Sequence, residues 1–257
     1  MFRALAFILS LLLLPLTVYG VVIVVQGSPA SVAGGGGGGD SCTGNLLFSW
    51  HMESTNVTAG TPAGCSVSTS TTGTLFSLAS ITSAQVKDGT YSLEFPTSND
   101  YASFTVNAQD IIKHDAGTID TWVYITANDD SNTIMVSRAT TTVNSFIKIA
   151  GRVISTFNQF QIQHKGSGGS TRTGQTSFAA GFSLNTWYHI IAKWDTSIHG
   201  ADYLYMCADT TTGTSNCGGS GTALEATATA HNELDIGSLG GTTYGYIDLL
   251  KIYSTWQ

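Results

Sequence analysis

A carboxylate stands near the end of the chain, in a segment that otherwise reads as an apolar β-strand. In GYIDLLKIY, residues 245–253, a two-residue period places Tyr246, Asp248, Leu250 and Ile252 on one face. An ionised carboxylate on a buried face is costly unless a cation or a set of backbone N–H groups meets it. The sequence therefore predicts a specific partner for Asp248, of one of these two kinds.

A second candidate functional site is a predicted strand with several side-chain amides on one face. In residues 153–164, alternation puts Phe157, Gln159, Gln161 and Gln163 on one face. Side-chain amides both donate and accept hydrogen bonds, which suits them to the hydroxyl groups of a sugar. The outer face of any half-exposed antiparallel strand is also polar, so the same pattern fits a strand without a ligand.

Two smaller sets complete the candidates. Asn99, Asp100 and Tyr101 follow one another in a turn pattern, where they could also contact a polar ligand. Four tryptophans lie inside strand patterns and are predicted to belong to the core: Trp50, Trp122, Trp187 and Trp194. A G-x-S-x-G nucleophile motif is absent from the sequence.

The composition limits the classes of partner. Of the 257 residues, 11% are charged and 42% are hydrophobic, and the net charge is -7. That hydrophobic share is ample for a packed core. Because Lys and Arg do not cluster along the sequence, we expect no nucleic-acid partner. Neutral glycans, cations and basic surfaces all remain compatible with the charge.

The N-terminus predicts export from the cytoplasm. Residues 1–33 contain a long apolar run and then a small-residue cleavage pattern, which fits either a signal peptide or a retained membrane anchor. Residues 34–41 contain six consecutive glycines and are predicted to be a linker. The remaining residues, 42–257, are predicted to form one secreted or surface-anchored domain.

Because the domain is predicted to be exported, its four cysteines are candidates for disulfide bonds. Cys42, Cys65, Cys207 and Cys217 are even in number, and an oxidising compartment favours disulfides. Three pairings are possible. The short Thr/Gly-rich segment between the last two favours Cys207–Cys217, which leaves Cys42–Cys65.

The elements that must position these candidates are strands. Eleven alternating segments bounded by turn residues follow residue 41, too many for an immunoglobulin domain of seven to nine strands. They predict an all-β, two-sheet antiparallel jelly-roll sandwich. The segments are 46–52, 90–96, 101–106, 117–126, 132–138, 144–150, 153–164, 185–195, 202–208, 232–238 and 244–253.

Several of these segments, in this order, resemble the laminin-G-like group of the concanavalin A-like lectin/glucanase superfamily. The resemblance spans roughly residues 45–253 and implies the concanavalin A-like jelly-roll fold. It is carried by LLFSWHMES, DGTYSLEFPTSNDYASF, GTIDTWVYI, NTWYHIIAKWD and the closing GYIDLLKIY.

The resemblance implies a structural calcium ion. The aspartate of the closing strand commonly helps to hold this ion in the family, which implies Asp248, Glu53 and Gly89 here, with a carbonyl of Lys87 or Asp88. Calcium prefers six to eight oxygen ligands, so mixed carboxylates and carbonyls are suitable. The alternative is that Asp248 accepts backbone N–H bonds or pairs with a lysine.

The resemblance also allows a test for catalysis. Glucanases of the superfamily use two carboxylates in an E-x-D-x-x-E strand, whereas this chain has Glu233, Asp235 and then Ser238. The missing glutamate predicts that the protein is not an enzyme.

We therefore expect an exported, non-catalytic module that binds a glycan or cell-surface polysaccharide. A structural or assembly protein of a cell, filament or virion surface, with other subunits as partners, is the alternative. A glycoside hydrolase with an unfamiliar acid pair ranks third. Contact with a membrane is expected only through an uncleaved N-terminal segment.

Overall fold

A computed structural model describes residues 45–52, 58–59, 71–104, 112–127, 132–139, 142–154, 157–176, 181–225, 231–237 and 244–257. By its contacts the chain divides into two units, residues 1–34 and residues 35–257. All of the described residues belong to the second unit, and none of them forms a helix that could cross a membrane.

The described residues form seventeen strands. In chain order they are β1 (Leu46–Trp50), β2 (Thr58–Ala59), β3 (Thr71–Thr72), β4 (Thr74–Phe76), β5 (Ser80–Thr82), β6 (Ser92–Phe95), β7 (Tyr101–Phe104), β8 (Ala116–Ile125), β9 (Asn132–Ala139), β10 (Thr142–Ile154), β11 (Phe157–Lys165), β12 (Arg172–Gln175), β13 (Trp187–His199), β14 (Asp202–Asp209), β15 (Gly218–Ser220), β16 (Glu233–Gly237) and β17 (Gly245–Tyr253).

Two antiparallel sheets build the sandwich. An eight-stranded sheet has the order β15-β14-β13-β8-β17-β6-β5, with β1 also paired to β17. A seven-stranded sheet has the order β12-β11-β10-β9-β16-β7-β4, and β2 and β3 form a separate pair. All eleven predicted segments contain a strand, so the predicted all-β jelly-roll sandwich is confirmed. Six strands were not predicted individually, because two to four residues are too few to show a clear alternation: β2, β3, β4, β5, β12 and β15.

The core lies between the two sheets and is made by alternate residues of the long strands. On β8, Ile119, Val123 and Ile125 belong to it, and on β11, Phe160 and Ile162 do. Each such side chain contributes about 1.5–3 kcal/mol when it is fully buried. The aromatic ring of Phe104 makes edge-to-face contacts with Phe48 and Trp50, which joins β7 of one sheet to β1 of the other. The core therefore ties the first strand to the seven-stranded sheet.

Strand β17 does not keep the simple two-residue period that its sequence suggests. Leu249 has φ 52°, and the register with β8 shifts between Asp248 and Lys251. Because of this bulge, Leu250 and Ile252 face the core, whereas Asp248 lies on the opposite, outward face. The prediction that Asp248 shares a face with Leu250 and Ile252 is therefore wrong.

The predicted local disulfide is present. Cys207 and Cys217 are bonded, and the bond closes the loop after β14. Asp209 organises the same loop, since its carboxylate accepts bonds from the N–H of Thr211 at 3.0 Å and from the hydroxyl of Ser215. Cys42 and Cys65 lie outside the described residues, and their pairing stays a prediction.

Three histidines meet in the interior at one end of the sandwich. The ring of His114, just before β8, lies 4.2 Å from that of His164 on β11 and 5.2 Å from that of His231, just before β16. His231 has hydroxyls on both sides, with Ser137 Oγ 2.9 Å from Nδ1 and Ser145 Oγ 3.3 Å from Nε2. The cluster therefore joins the segment that enters the eight-stranded sheet to three strands of the other sheet.

Burial makes a positive charge in this histidine cluster unfavourable. Burial, together with the charge of the neighbouring histidines, lowers the pKa of His164 to about 4 and that of His231 to about 3. The pKa of His114 is also lowered by burial, although a hydrogen bond to the Lys165 carbonyl and the carboxylates of Asp115 and Glu225 raise it. The folded protein thus holds these rings neutral.

We predict that acid destabilises the protein through this cluster. In the unfolded chain His164 and His231 protonate near pH 6.5, but in the folded state only near pH 4 and pH 3, so stability present above pH 6.5 is lost as pH falls. For His164 alone the loss by pH 4 is on the order of 3 kcal/mol. Urea unfolding at several pH values should show a shallower acid dependence for His164→Asn than for wild type.

The matched control is His51→Asn, since His51 lies outside the cluster. This variant should keep the wild-type pH dependence. An acid dependence that is the same in wild type and His164→Asn would show that the cluster does not govern acid stability.

Candidate functional site

The outward face of the seven-stranded sheet gathers most of the polar side chains that the sequence singled out. On β11, Phe160 and Ile162 point to the core, so Gln159, Gln161 and Gln163 point outward, as the sequence predicted. The strand register continues this face across the neighbouring strands. We call the outward residues of β9, β10, β11 and β16 the polar face: Val136, Arg138, Phe146, Lys148, Ala150, Arg152, Gln159, Gln161, Gln163, Lys165, Glu233 and Asp235.

The polar face is organised in rows that run across the strands. One row contains Lys165, Phe146, Arg138 and Glu233, which lie opposite one another on β11, β10, β9 and β16. The next row contains Gln163, Lys148, Val136 and Asp235. Neighbouring strands lie about 4.8 Å apart, so each row presents alternating chemical groups over about 14 Å.

The three glutamines have different environments. Gln161 is 2% exposed, and its amide contacts Arg152 Nη1 at 3.5 Å and Gln175 Oε1 at 3.2 Å. Gln159 and Gln163 are half-buried. Gln159 Oε1 is buried and has no hydrogen-bond partner among the described residues. Gln163 and the exposed part of Gln159 can therefore meet a ligand directly, but the buried Oε1 of Gln159 and the side chain of Gln161 cannot.

An arginine binds both acids of the polar face. Arg138 Nε donates to Glu233 Oε2 at 2.9 Å, and Nη2 donates to Asp235 Oδ2 at 3.2 Å. Burial raises the pKa of Asp235 to about 6, the charge of Glu233 raises it too, and a bond from Ser103 and the charge of Arg138 lower it. The sequence reasoning missed Arg138, because only the pairing of β9 with β16 places it opposite Glu233.

The turn residues Asn99, Asp100 and Tyr101 do not act as one group. Asp100 is fully buried and fixes the turn, since its carboxylate accepts bonds from the N–H of Leu78 at 2.9 Å and the hydroxyl of Thr97 at 2.9 Å. Asn99 is exposed, with φ 71°. We therefore place Asp100 among the residues that shape the fold.

Tyr101 lies on the same side of the sheet as the polar face, but far from the glutamines. It stacks on Phe76, with ring centroids 4.5 Å apart and an interplanar angle of 9°. Four strand spacings separate β7 from β11, which is about 19 Å. A ligand that contacts both ends must therefore be an extended chain.

Asp248 is met by backbone N–H groups, one of the two kinds of partner that the sequence predicts. Its Oδ2 accepts the backbone N–H groups of Lys87 at 3.0 Å and Asp88 at 3.1 Å, and its Oδ1 accepts that of Leu249 at 2.8 Å. Burial raises the pKa of Asp248 to about 6, although these three bonds lower it. Both carboxylate oxygens are thus engaged by backbone donors.

The predicted calcium ligands can be compared with this geometry. Asp248 accepts hydrogen bonds from the loop that contains Gly89, but Glu53 lies outside the described residues. The described part of the chain holds no group of three or more His, Cys, Asp or Glu side chains suited to a metal ion. Backbone N–H groups repel a cation, so the described donors fit a buried carboxylate better than a calcium ion. A calcium ion at Asp248 stays a prediction.

The tryptophans divide between the core and the other outward face. Trp50 and Trp194 are buried in the core, as predicted. Trp122 lies opposite Asp248 on the outward face of the eight-stranded sheet, covered by the Lys87 ammonium at 3.9 Å from its ring. Trp187 is only partly buried and packs beside Tyr124. Trp122 is buried as predicted, at 6% exposure, although strand alternation places it on the outward side. The core prediction is wrong for Trp187, which lies on the same outward side and is only partly buried.

Comparison with solved structures shows that the fold is shared with known binding domains. Domain 4 of AbnA, a GH43 extracellular arabinanase from Geobacillus stearothermophilus solved in complex with arabinotriose, is 12% identical with a TM-score of 0.60. The alignment covers 82% of this chain and 93% of that domain.

Binding domains of botulinum neurotoxins have the same fold. The binding domain of botulinum neurotoxin serotype D/C is 11% identical, with a TM-score of 0.57 over 83% of this chain. The binding domain of botulinum neurotoxin DC in complex with SialylT is 12% identical, with a TM-score of 0.51 over 73% of this chain. The chain spans about half the length of these toxin domains, 49% and 44% respectively.

At these identities the likeness shows a common jelly-roll fold. No model of a known protein family matches the chain. No curated protein sequence matches it either.

We predict that Asp248 is a structural clip. Asp248→Ala leaves three partly buried N–H groups without their acceptor, which should lower the free energy of unfolding by on the order of 3 kcal/mol. Asp88→Ala is the matched control, because its exposed side chain is removed while its backbone N–H remains. Thermal unfolding of both variants measures the difference.

The same unfolding experiment tests calcium. If an ion is bound, a chelator lowers the melting temperature of wild type but not that of Asp248→Ala. If the backbone donors alone satisfy Asp248, the chelator leaves both melting temperatures unchanged. A melting temperature indifferent to both the substitution and the chelator would contradict any clip at Asp248.

Proposed function

We propose that the protein is an exported, non-catalytic carbohydrate-binding module that holds a glycan along its polar face. The observation that carries this proposal is the arrangement of amides, cations and an aromatic ring in cross-strand rows on one side of one sheet. Sugars are recognised by such sets, in which planar amides and charged groups bond hydroxyls and an aromatic ring packs on the sugar face.

The shape of the face favours a chain-like ligand. Phe146 is partly exposed in the centre of its row, and Gln159 and Gln163 lie on the adjacent strand. The half-buried amide of Gln163 can donate hydrogen bonds to sugar hydroxyls and accept them. A few contacts of this kind, repeated over several sugar units, support binding to a polysaccharide.

The acids of the polar face support binding rather than hydrolysis. Glycoside hydrolysis uses one carboxyl group as an acid and another as a nucleophile or base. Here Arg138 binds both Glu233 and Asp235, and Asp235 is fully buried. A pair held in this way is suited to fixing the guanidinium group in place.

The structural neighbours are consistent with the proposal. One neighbour is a domain of an arabinanase in complex with arabinotriose, and toxin binding domains occur in complex with SialylT and with rat synaptotagmin II. Membership of the laminin-G-like group is part of the proposal, supported by the motif resemblance and the shared fold. The disulfide Cys207–Cys217 supports an extracellular location, where such bonds form and persist.

An assembly role is the second candidate, and one observation favours it. Phe76 and Leu78 are 39% and 61% exposed, and Phe76 lies on β4, which ends the seven-stranded sheet. An edge strand with apolar side chains can pair with another chain. The full chain should then form oligomers in size measurements, and a strict monomer without surface association would exclude this role.

We predict that the polar face binds polysaccharide. In affinity electrophoresis through gels that contain a panel of soluble polysaccharides, at least one should retard wild type. Gln163→Ala should weaken the retention by about fivefold to tenfold, equivalent to about 1–1.4 kcal/mol for a lost hydrogen bond. The matched control, Gln85→Ala, removes an amide near the other sheet and should bind like wild type.

Two results would contradict the proposal. If no polysaccharide retards wild type, the protein is not a glycan-binding module of this kind. If Gln163→Ala and Gln85→Ala weaken retention equally, the polar face is not the binding surface.

A further inference from the structure

We infer that the ligand of the polar face is an acidic polysaccharide, whose carboxylate or sulfate groups meet the cations of β10 and β11. This inference rests on the proposed function and specifies its ligand class. It follows from how the few basic residues of an acidic protein are distributed in space.

The protein as a whole is acidic, but its polar face is not. The chain has 10 Lys and Arg residues against 17 Asp and Glu, a net charge of -7. Four of the cations nevertheless lie on this one face, together with only two carboxylates. The four cations are Arg138, Lys148, Arg152 and Lys165, so the face carries a net charge of +2 with both carboxylates ionised.

The positive charge is concentrated on one side of the face. The two carboxylates, on β16, are both bound by Arg138, so that side keeps a net charge of -1 and the other three cations lie on β10 and β11. On β10 and β11, Arg152 contacts the neutral amide of Gln161 at 3.5 Å. Neither Arg152 nor Lys165 forms an ion pair with a carboxylate of the described residues. This side therefore attracts anions.

The crowding of cations on β10 supports the same conclusion. Lys148 and Arg152 are outward residues of one strand. Burial lowers the pKa of Lys148, and the positive charge of Arg152 lowers it further. An anion bound between these residues would oppose this lowering of the pKa of Lys148, since an opposite charge favours the protonated lysine.

The surrounding groups fit a sugar rather than a small inorganic ion. Phe146 separates Lys165 from Arg138 in one row, which places an aromatic surface between two cations about 10 Å apart. Gln163 lies directly opposite Lys148. A sugar ring on Phe146 would thus direct its acidic group to a cation and its hydroxyls to an amide. Inorganic anions need neither the ring nor the amide.

The test compares polymers that differ only in charge. Polygalacturonate and its fully methyl-esterified form share one backbone, and dextran sulfate and dextran form a second pair. Isothermal titration calorimetry of the full chain in a non-ionic detergent should show binding of at least one charged polymer. We expect the uncharged partner of that polymer to bind at least about tenfold more weakly, as for the loss of a charge-assisted hydrogen bond.

Charge-removing variants locate the site. Arg152→Gln and Lys165→Gln should each weaken binding of the charged polymer by about tenfold. The matched control, Lys251→Gln, removes the same charge from the outward face of the other sheet and should bind like wild type. Should either variant unfold, the charge-conserving Arg152→Lys and Lys165→Arg provide folded proteins that should retain most of the affinity.

Salt gives an independent readout. Because exposed charges are screened beyond about 8 Å at physiological ionic strength, affinity for the charged polymer should fall as salt rises. Binding of only the carboxylated or only the sulfated polymer would identify the acidic group that is recognised.

The outcomes separate this inference from the proposed function. Equal, salt-independent binding of charged and uncharged polymers would overturn the inference and leave glycan binding intact. Equal losses for Lys251→Gln and Arg152→Gln would also overturn it, since the attraction would then come from overall charge. Failure to bind any polysaccharide would overturn both.

Discussion

The fold depends on the buried carboxylate of Asp248, which completes the hydrogen bonding where the ladder of strand β17 is interrupted. On one side β17 pairs with β8, but on the other it pairs first with β6, through Ile247, and then with β1, from Leu250. Asp248 and Leu249 lie where the partner changes and the regular ladder is interrupted. The Asp248 carboxylate accepts backbone N–H bonds from the loop before β6, which fills this gap. The first and last strands of the domain can therefore share one sheet.

The same interruption decides which chemistry each face presents. The bulge at Leu249 turns Asp248 outward while Leu250 and Ile252 stay in the core. On the outward side of this sheet close contacts form around Asp248, such as Lys87 over Trp122 and His189 Nε2 at 2.7 Å from Asp120 Oδ1. On the seven-stranded sheet the outward side has amides and cations in rows instead. The eight-stranded sheet thus joins the first and last strands of the domain, whereas the seven-stranded sheet presents the polar face.

Sequence patterns predicted the local structure well. The long strands follow from alternation, because a half-buried strand needs apolar side chains at every second position. The outward glutamines of β11 and the bond Cys207–Cys217 follow from equally local signals. The bulge at Leu249 does not follow from such a signal, because Leu fits either face of a strand. The outward position of Trp122 does follow from its alternation with Ile119 and Val123, although a large apolar ring is expected in the core. The role of Asp100 was also misjudged, since its backbone donors include the N–H of Leu78, 22 residues away.

The sequence by itself determined the fold class, the eleven main strands and, away from bulges such as that at Leu249, which side chains of each strand share a face. Only the tertiary structure decided which strands are neighbours, and with that which charges meet. Arg138 pairs with Glu233, 95 residues later, and Asp248 with the N–H of Lys87, 161 residues earlier. The physical reason is that period and turn propensity act over a few residues, whereas pairing between distant strands is fixed by the packing of the whole core. An acidic chain can therefore carry a positively charged face that its linear charge pattern does not reveal.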